Sequence, residues 1–205
     1  MSEPSHGITR IAVLVSGGGT NLQALIDAGK DGGLGGGELS LVASSKSGVP
    51  ALERAERANI PAITVERKNY ANAAEFDHAL AAMLKDHRID LVVLAGFLCV
   101  LGPQVLQSYE DRIINVHPSL IPSFCGKGFY GLRVHEAALE YGVKVTGATV
   151  HFVNQVVDGG KIILQKAVDI LPGDTPQSLQ ERVMREAEWK ILPQAVAMFC
   201  RGELS

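Results

Sequence analysis

In the stretch RIINVHPSLIPSF, residues 112 to 124, an apolar run ends in Asn115, Val116 and His117 and is closed by Pro118. Two residues apart on a strand, the Asn and His side chains leave from one face. A carboxamide N–H donates to an oxygen that is gaining negative charge, and an imidazole takes and returns a proton near neutral pH. Together they suit attack on a carbonyl carbon. Pro118 disfavours the helical region for His117 and holds the exit extended. The bland alternative is a pair of polar residues that merely ends a strand.

A third group changes the balance. QVVDGG carries Asp158 in a tight turn between two apolar runs, a turn that Gly159 and Gly160 permit. Two readings stand for it: a local Asx turn, or a carboxylate aimed at His117 that holds the ring and stabilises its charged form. No Ser or Thr stands in a nucleophile elbow, so Asn115, His117 and Asp158 look suited to direct transfer of an acyl-type group to a nucleophile carried by the substrate. The competing nucleophile is Cys125, close to His117 in the chain, but the sequence establishes no basic environment to make its thiolate.

VLVSGGGTNLQALI sets Gly17, Gly18 and Gly19 between an apolar run and a helical pattern. Backbone comes close to a ligand there, and the free N–H groups and dipole of a helix start favour an anion, most naturally a phosphate. The dinucleotide fingerprint fails, because Leu22 holds the third glycine position and the next strand ends in VASSKS without an acid for a ribose hydroxyl. The Walker pattern fails at both Gly126-Lys127 and Gly160-Lys161. Three glycines in a row exceed what a tight turn needs. Thr20 and Asn21 are placed to cap the helix and reach the same phosphate.

The remaining candidates are weaker. His151 shares strand parity with Thr149 and reads first as a buried, satisfied histidine and second as site lining. His6, His78 and His87 lack metal-ligand spacing and belong to a tail or to helix surfaces, and His135 sits in a helix. Glu188 faces either the mouth of the sheet or water.

Positioning these groups requires a sheet. Strands are expected at 10–16, 39–45, 62–67 and 89–96, the fourth nearly continuous in Val, Leu and Ile as in strands buried on both faces. Helical spacing joins Phe76, Leu80, Met83, Leu84 and His87 within 72–87. Alternation of this kind means an α/β, Rossmann-like fold, a mostly parallel twisted sheet with helices on both faces. After a loop at 123–131 and a helix at 132–141, the runs 144–153 and 161–170 are too close for a crossover helix and pair antiparallel. A helical stretch from about 175 to 200 follows, and GKDGGLGGGE (29–38) reads as a flexible exposed loop.

The 205 residues suit one domain, with a phosphate-binding half at about 8–110 and a catalytic half at about 111–200. A hydrophobic fraction of 46% and a charged fraction of 20% are those of a globular chain. With a net charge of -3 and scattered cations, nucleic acid is not expected as a partner. Neither a signal core nor a membrane-spanning run is present, so no membrane is expected and the expected address is cytoplasmic. Cys99, Cys125 and Cys200 have no C-x-x-C spacing, which argues against disulfides and a thiolate zinc site.

SGGGTNLQALID, LAGFLCVLGPQVL, INVHPSLIPSF and TGATVHFVNQVVDGGKIILQ together resemble the phosphoribosylglycinamide formyltransferase family, folate-dependent enzymes of purine synthesis, over residues from about 10 to about 200. The resemblance implies a seven-stranded sheet that binds glycinamide ribonucleotide (GAR) and, as co-substrate, 10-formyltetrahydrofolate, with no metal and no covalent enzyme intermediate. It implies that Gly19, Thr20 and Asn21 hold the phosphate and Glu188 the ribose hydroxyls. Asn115 would hold the oxyanion, His117 act as general acid and base, and Asp158 orient the histidine. The folate would lie against Leu98, Cys99, Val100 and Leu101, against Asn115, Val153 and Asn154, and against the turn through Val157 and Asp158.

The chain departs from that family in four places. Members carry Arg where it has Cys99 and at about Ala73, so the folate tail is held differently; Lys127 or Arg133 is available to supply the charge. The loop CGKGFYGLRVH is longer than in many relatives, and the helix before ILP is one residue longer, which makes Glu188 a weaker carry-over than Asn115, His117 or Asp158. Three rivals are weighed. A formyltetrahydrofolate deformylase would bear a regulatory domain ahead of the glycine loop, and a methionyl-tRNA formyltransferase an RNA-binding domain after the catalytic half. A nonenzymatic phosphoribosyl-binding module would bind without turnover. The sequence leaves monomer and homodimer both open.

Overall fold

The computed structural model describes residues 7 to 204, so the tail position expected for His6 lies outside the described residues. The parallel part of the chain runs β1 (Thr9–Val15), α1 (Thr20–Lys30), β2 (Gly37–Ser44), α2 (Pro50–Arg57), β3 (Ala62–Thr64), α3 (Ala73–Asp86), β4 (Leu91–Leu94), α4 (Pro103–Ser108) and β5 (Ile113–His117). Then come α5 (Leu132–Tyr141), β6 (Val145–Phe152), β7 (Ile162–Asp169), α6 (Pro176–Val183), a π-helical turn (Met184–Glu188) and α7 (Trp189–Cys200). The seven strands form one sheet in the order β3-β2-β1-β4-β5-β6-β7.

The apolar runs explain the arrangement. β4 is buried along its whole length, and alternate residues of β1 feed two cores on opposite faces of the sheet. One core packs α1, α2, α6 and α7, the other α3 and α4. β1 to β5 pair parallel, and β6 pairs antiparallel with both β5 and β7, as the short connection requires. Strand order reverses at β1, which has β2 on one side and β4 on the other. Such a reversal opens a crevice at the carboxyl ends of the strands, where ligands of open α/β sheets bind.

Three expectations are corrected. The expected strand at 62–67 is only three residues long, and Val65 leaves it to bury itself in the second core. The glycine-rich segment at 29–38 is exposed over most of its length, as expected, but it is anchored: Leu34 is buried, and a side chain at Gly35 would lie 2.5 Å from the Ala197 carbonyl oxygen. The last helical stretch is interrupted. One added residue in an α-helix rotates everything after it by about 100°, whereas a π turn absorbs it locally. Through the turn at Met184–Glu188, Leu179 and Val183 on one side and Ile191, Leu192 and Val196 on the other face the same core.

Candidate active site

β5 delivers Asn115 and His117 to one face, directly opposite His151 and Thr149 of β6. His151 is 1% exposed and both its ring nitrogens are engaged. Nδ1 lies 2.8 Å from the Phe152 carbonyl oxygen, which can only accept, so Nδ1 carries the hydrogen. Nε2 therefore presents a lone pair, and it lies 3.0 Å from Asn115 Nδ2, which donates to it. Burial pushes the His151 ring toward its neutral form, outweighing the Phe152 hydrogen bond and the Asp158 charge. Asn115 is thereby fixed with its N–H2 group turned along the site, and its second N–H remains available. The expectation of a buried, satisfied histidine holds.

His117 is likewise buried. Its Nε2 donates to the Phe124 carbonyl oxygen at 2.9 Å, and its Nδ1 lies 3.6 Å from Asp158 Oδ2. That is close enough for the two groups to interact, and longer than a hydrogen bond. Asp158 has a left-handed backbone, φ 56°, and turns its carboxylate inward. There Oδ2 accepts from Gly126 N at 2.8 Å and Oδ1 lies 3.8 Å from His151 Nε2. Of the two readings of Asp158, the structure supports the one aimed at His117.

The loop from Ser119 to Gly126 is tied down from β6 and β7. Thr149 Oγ1 donates to Ser119 O at 2.7 Å and accepts from Ile121 N and Gln165 Nε2, both at 3.0 Å. Cys125 belongs to this loop, where its thiol donates to Pro122 O at 3.3 Å. Burial and then the Asp158 charge push that thiol up, the reverse of what a thiolate nucleophile requires.

At the glycine loop, Gly19 is the N-cap of α1 in a left-handed conformation, φ 71°. A Cβ there would meet Ala51 at 2.7 Å, so the loop and α2 touch backbone to backbone. Neither Thr20 nor Asn21 caps the helix as expected: Thr20 Oγ1 donates to Met184 Sδ at 3.6 Å and Asn21 Nδ2 to Glu188 Oε2 at 2.6 Å. Glu188 is therefore not a solvated surface residue. It is 6% exposed, and burial pushes its carboxyl up to about 7 against the lowering effect of the Asn21 hydrogen bond.

The residues expected to touch folate divide into two groups. Leu98 and Val100, after β4, and Val157, before Asp158, are large apolar side chains left exposed, and Val156, not among the expected residues, is exposed beside Val157. Cys99 and Val153 are partly buried against the second core, and the Leu101 side chain is inside it, which leaves its backbone as the part that could meet a ligand. Asn154 shapes the turn by accepting from Val156 N at 2.9 Å. Ser16 Oγ accepts from Leu98 N at 2.9 Å, tying the glycine loop to this segment. Arg133 is drawn over the Tyr130 ring, 5.0 Å from its centroid, Lys127 is exposed, and Ala73 is exposed at the start of α3. Among the described residues no group of three or more His, Cys, Asp or Glu is arranged to hold a metal ion, and no helix is long and apolar enough to cross a membrane.

A carboxamide, an imidazole and a carboxylate brought together at the end of β5 suit group transfer, and the sequence model of the formyl transferase family matches residues 9–196. The chain belongs to that family. Its relatives make the assignment narrower, to the phosphoribosylglycinamide formyltransferases: the one from Haemophilus influenzae is 41% identical, with 95% of this chain and 89% of that protein aligned. The human trifunctional purine biosynthetic protein adenosine-3 is 46% identical over 94% of this chain, and the chain spans 18% of that protein's length. Among solved structures, glycinamide ribonucleotide transformylase 1 of Symbiobacterium toebii superposes with a TM-score of 0.91 at 42% identity, covering 98% of this chain and 92% of that one.

Proposed function

We propose that this protein transfers the formyl group of 10-formyltetrahydrofolate to the amine of 5-phosphoribosylglycinamide (GAR) in purine biosynthesis. The observation that carries the reading is the 3.6 Å contact of His117 Nδ1 with Asp158 Oδ2, beside an Asn115 carboxamide held at 3.0 Å by His151. Asn115 donates its second N–H to the formyl oxygen as negative charge develops there. His117 moves the proton from the attacking amine to the departing folate nitrogen, and Asp158 balances the charge on the ring. Leu98, Val100 and Val157 offer an apolar rim that suits the flat pterin ring of the co-substrate.

The phosphate lies on the backbone of Gly19, Thr20 and Asn21 at the start of α1, and Glu188 takes the ribose hydroxyls. This divides the work between a phosphate-binding half at about 8–110 and a catalytic half at about 111–200. The reaction needs no metal, nucleic acid or membrane, and suits a cytoplasmic monomer or homodimer. The assay supplies the protein with GAR and 10-formyl folate and follows deformylated folate. Donor loss that requires GAR is expected; donor loss without it would make the protein a deformylase, and nucleotide binding without turnover a binding module.

A further inference from the structure

Asn21 Oδ1 is buried and has no hydrogen-bond partner, in a residue only 8% exposed. Such an oxygen needs a donor, and leaving it without one is costly. The same carboxamide already donates Nδ2 to Glu188 Oε2 at 2.6 Å. Glu188 in turn makes no ion pair among the described residues. A buried carboxylate without a cation is costly, and such groups neutralise by taking a proton. One proton on Glu188 removes the buried charge and provides the carboxyl with a hydrogen to donate toward the Asn21 amide.

The surroundings offer no other compensation. Of the charged groups on elements around the π turn, Asp27 pairs with Lys30 on α1 and Arg182 of α6 with Asp174. On the turn itself Arg185 pairs with Glu186. Glu181, Lys190 and, on β7, Lys166 and Asp169 are exposed, and the influences on the Glu188 carboxyl are burial and Asn21. The π turn holds Glu188 in place at one end and, through Met184, meets Thr20 at the other, so two consecutive residues of the glycine loop are tied to it.

We propose that in the free protein, below neutral pH, Asn21 and Glu188 form a neutral amide–carboxylic acid pair, and that binding of the nucleotide expels the proton. The inference rests on the proposed function. Ribose hydroxyls are donors, and a carboxylate accepts from them where a protonated carboxyl competes as a donor. As they arrive, the Glu188 O–H bond breaks heterolytically, its electron pair stays on oxygen, and the proton passes to the buffer. Asn21 is thus a positioning residue for the group that reads the sugar.

The test is titration calorimetry of the full chain with GAR in buffers of different ionisation enthalpy, at pH 6 and pH 8. The phosphate and amine of GAR titrate in the same range, so the informative quantity is wild type minus Glu188→Gln. Close to one extra proton released per GAR at about pH 6, and close to none at about pH 8, is expected. Equal proton release in both proteins overturns the pairing, while absence of binding heat in wild type overturns the proposed function instead. Where the variant does not fold or binds too weakly, infrared difference spectra of wild type at pH 6 decide. The carbonyl band of a protonated carboxyl is expected to disappear when GAR is added, and its persistence overturns the proposal.

Discussion

His151 Nε2 and Asn115 Nδ2 lie 3.0 Å apart, and the hydrogen on the far side of the histidine ring, donated to Phe152 O, decides which way the asparagine faces. Removing that acceptor frees the carboxamide to turn its oxygen toward the reacting carbonyl. His151→Leu is expected to lower kcat by about 10- to 100-fold with little change in KM for GAR, the mark of an interaction made in the transition state. His151→Gln, whose amide oxygen can accept from Asn115, is expected to recover part of the loss. Equal losses in the two variants would show that the ring only fills space.

His117 and Cys125 separate two chemistries. Direct transfer through His117 predicts that His117→Ala costs two to four powers of ten in kcat, roughly the range of general acid–base catalysis, and that Cys125→Ser leaves rates near normal. Burial and the Asp158 charge both hold the Cys125 thiol protonated. Steady-state rates of the two variants, with circular dichroism to confirm folding, decide the matter; abolished turnover in Cys125→Ser would restore the thiol as nucleophile.

Glu188 places a cost on the free protein that depends on pH. Its carboxyl lies near 7 when folded against 4.5 as an ordinary glutamate, so the unfolded chain ionises first as pH rises. Stability from this group is full below about 4.5, falls between there and 7, and stays lower above, by about 3 kcal/mol at most. Glu188→Gln is uncharged throughout. Its denaturant midpoint without nucleotide is expected to exceed wild type at pH 8 and to match it near pH 4, while its affinity for GAR falls. A variant less stable than wild type at pH 8 would contradict the pairing of burial with charge.

Much of this site is readable from local spacing. Asn115 and His117 share a face because strand side chains alternate, and β6 and β7 pair antiparallel because their connection is too short to cross over. Local spacing does not say where a side chain points when its partner is far away in sequence. Thr20 and Asn21 have the composition of helix caps, yet they turn to Met184 and Glu188, about 165 residues on. The extra residue before ILP shows in the resemblance, but that a π turn absorbs it becomes visible only when two helices must keep their buried faces on one core. Leu34, in a run of glycines, reads as a loop residue until α7 packs over that turn. Asp158 left two readings open, and its left-handed backbone supplied the direction that its residue type could not.

Gly19 supplies the last prediction, because the two glycines before it provide an internal control. Its φ of 71° is one that side chains rarely adopt, and an added Cβ would sit 2.7 Å from Ala51 Cβ and 2.8 Å from Ala51 Cα. Backbone on α2 cannot yield as a flexible side chain would, so Gly19→Ala must push the loop away from α2 and, on the proposed function, turn the first N–H groups of α1 off the phosphate. Gly17 and Gly18 have open space around a Cβ and no left-handed requirement. Gly19→Ala is expected to lose about 1–3 kcal/mol of stability and to raise KM for GAR at least about tenfold, a loss near 1.4 kcal/mol of binding. KM for the folate donor should stay nearly constant. Gly18→Ala should keep wild-type stability, because the strain belongs to residue 19 alone. If the two alanine variants lost stability and GAR affinity equally, glycine composition rather than the contact with α2 would be shaping the phosphate loop.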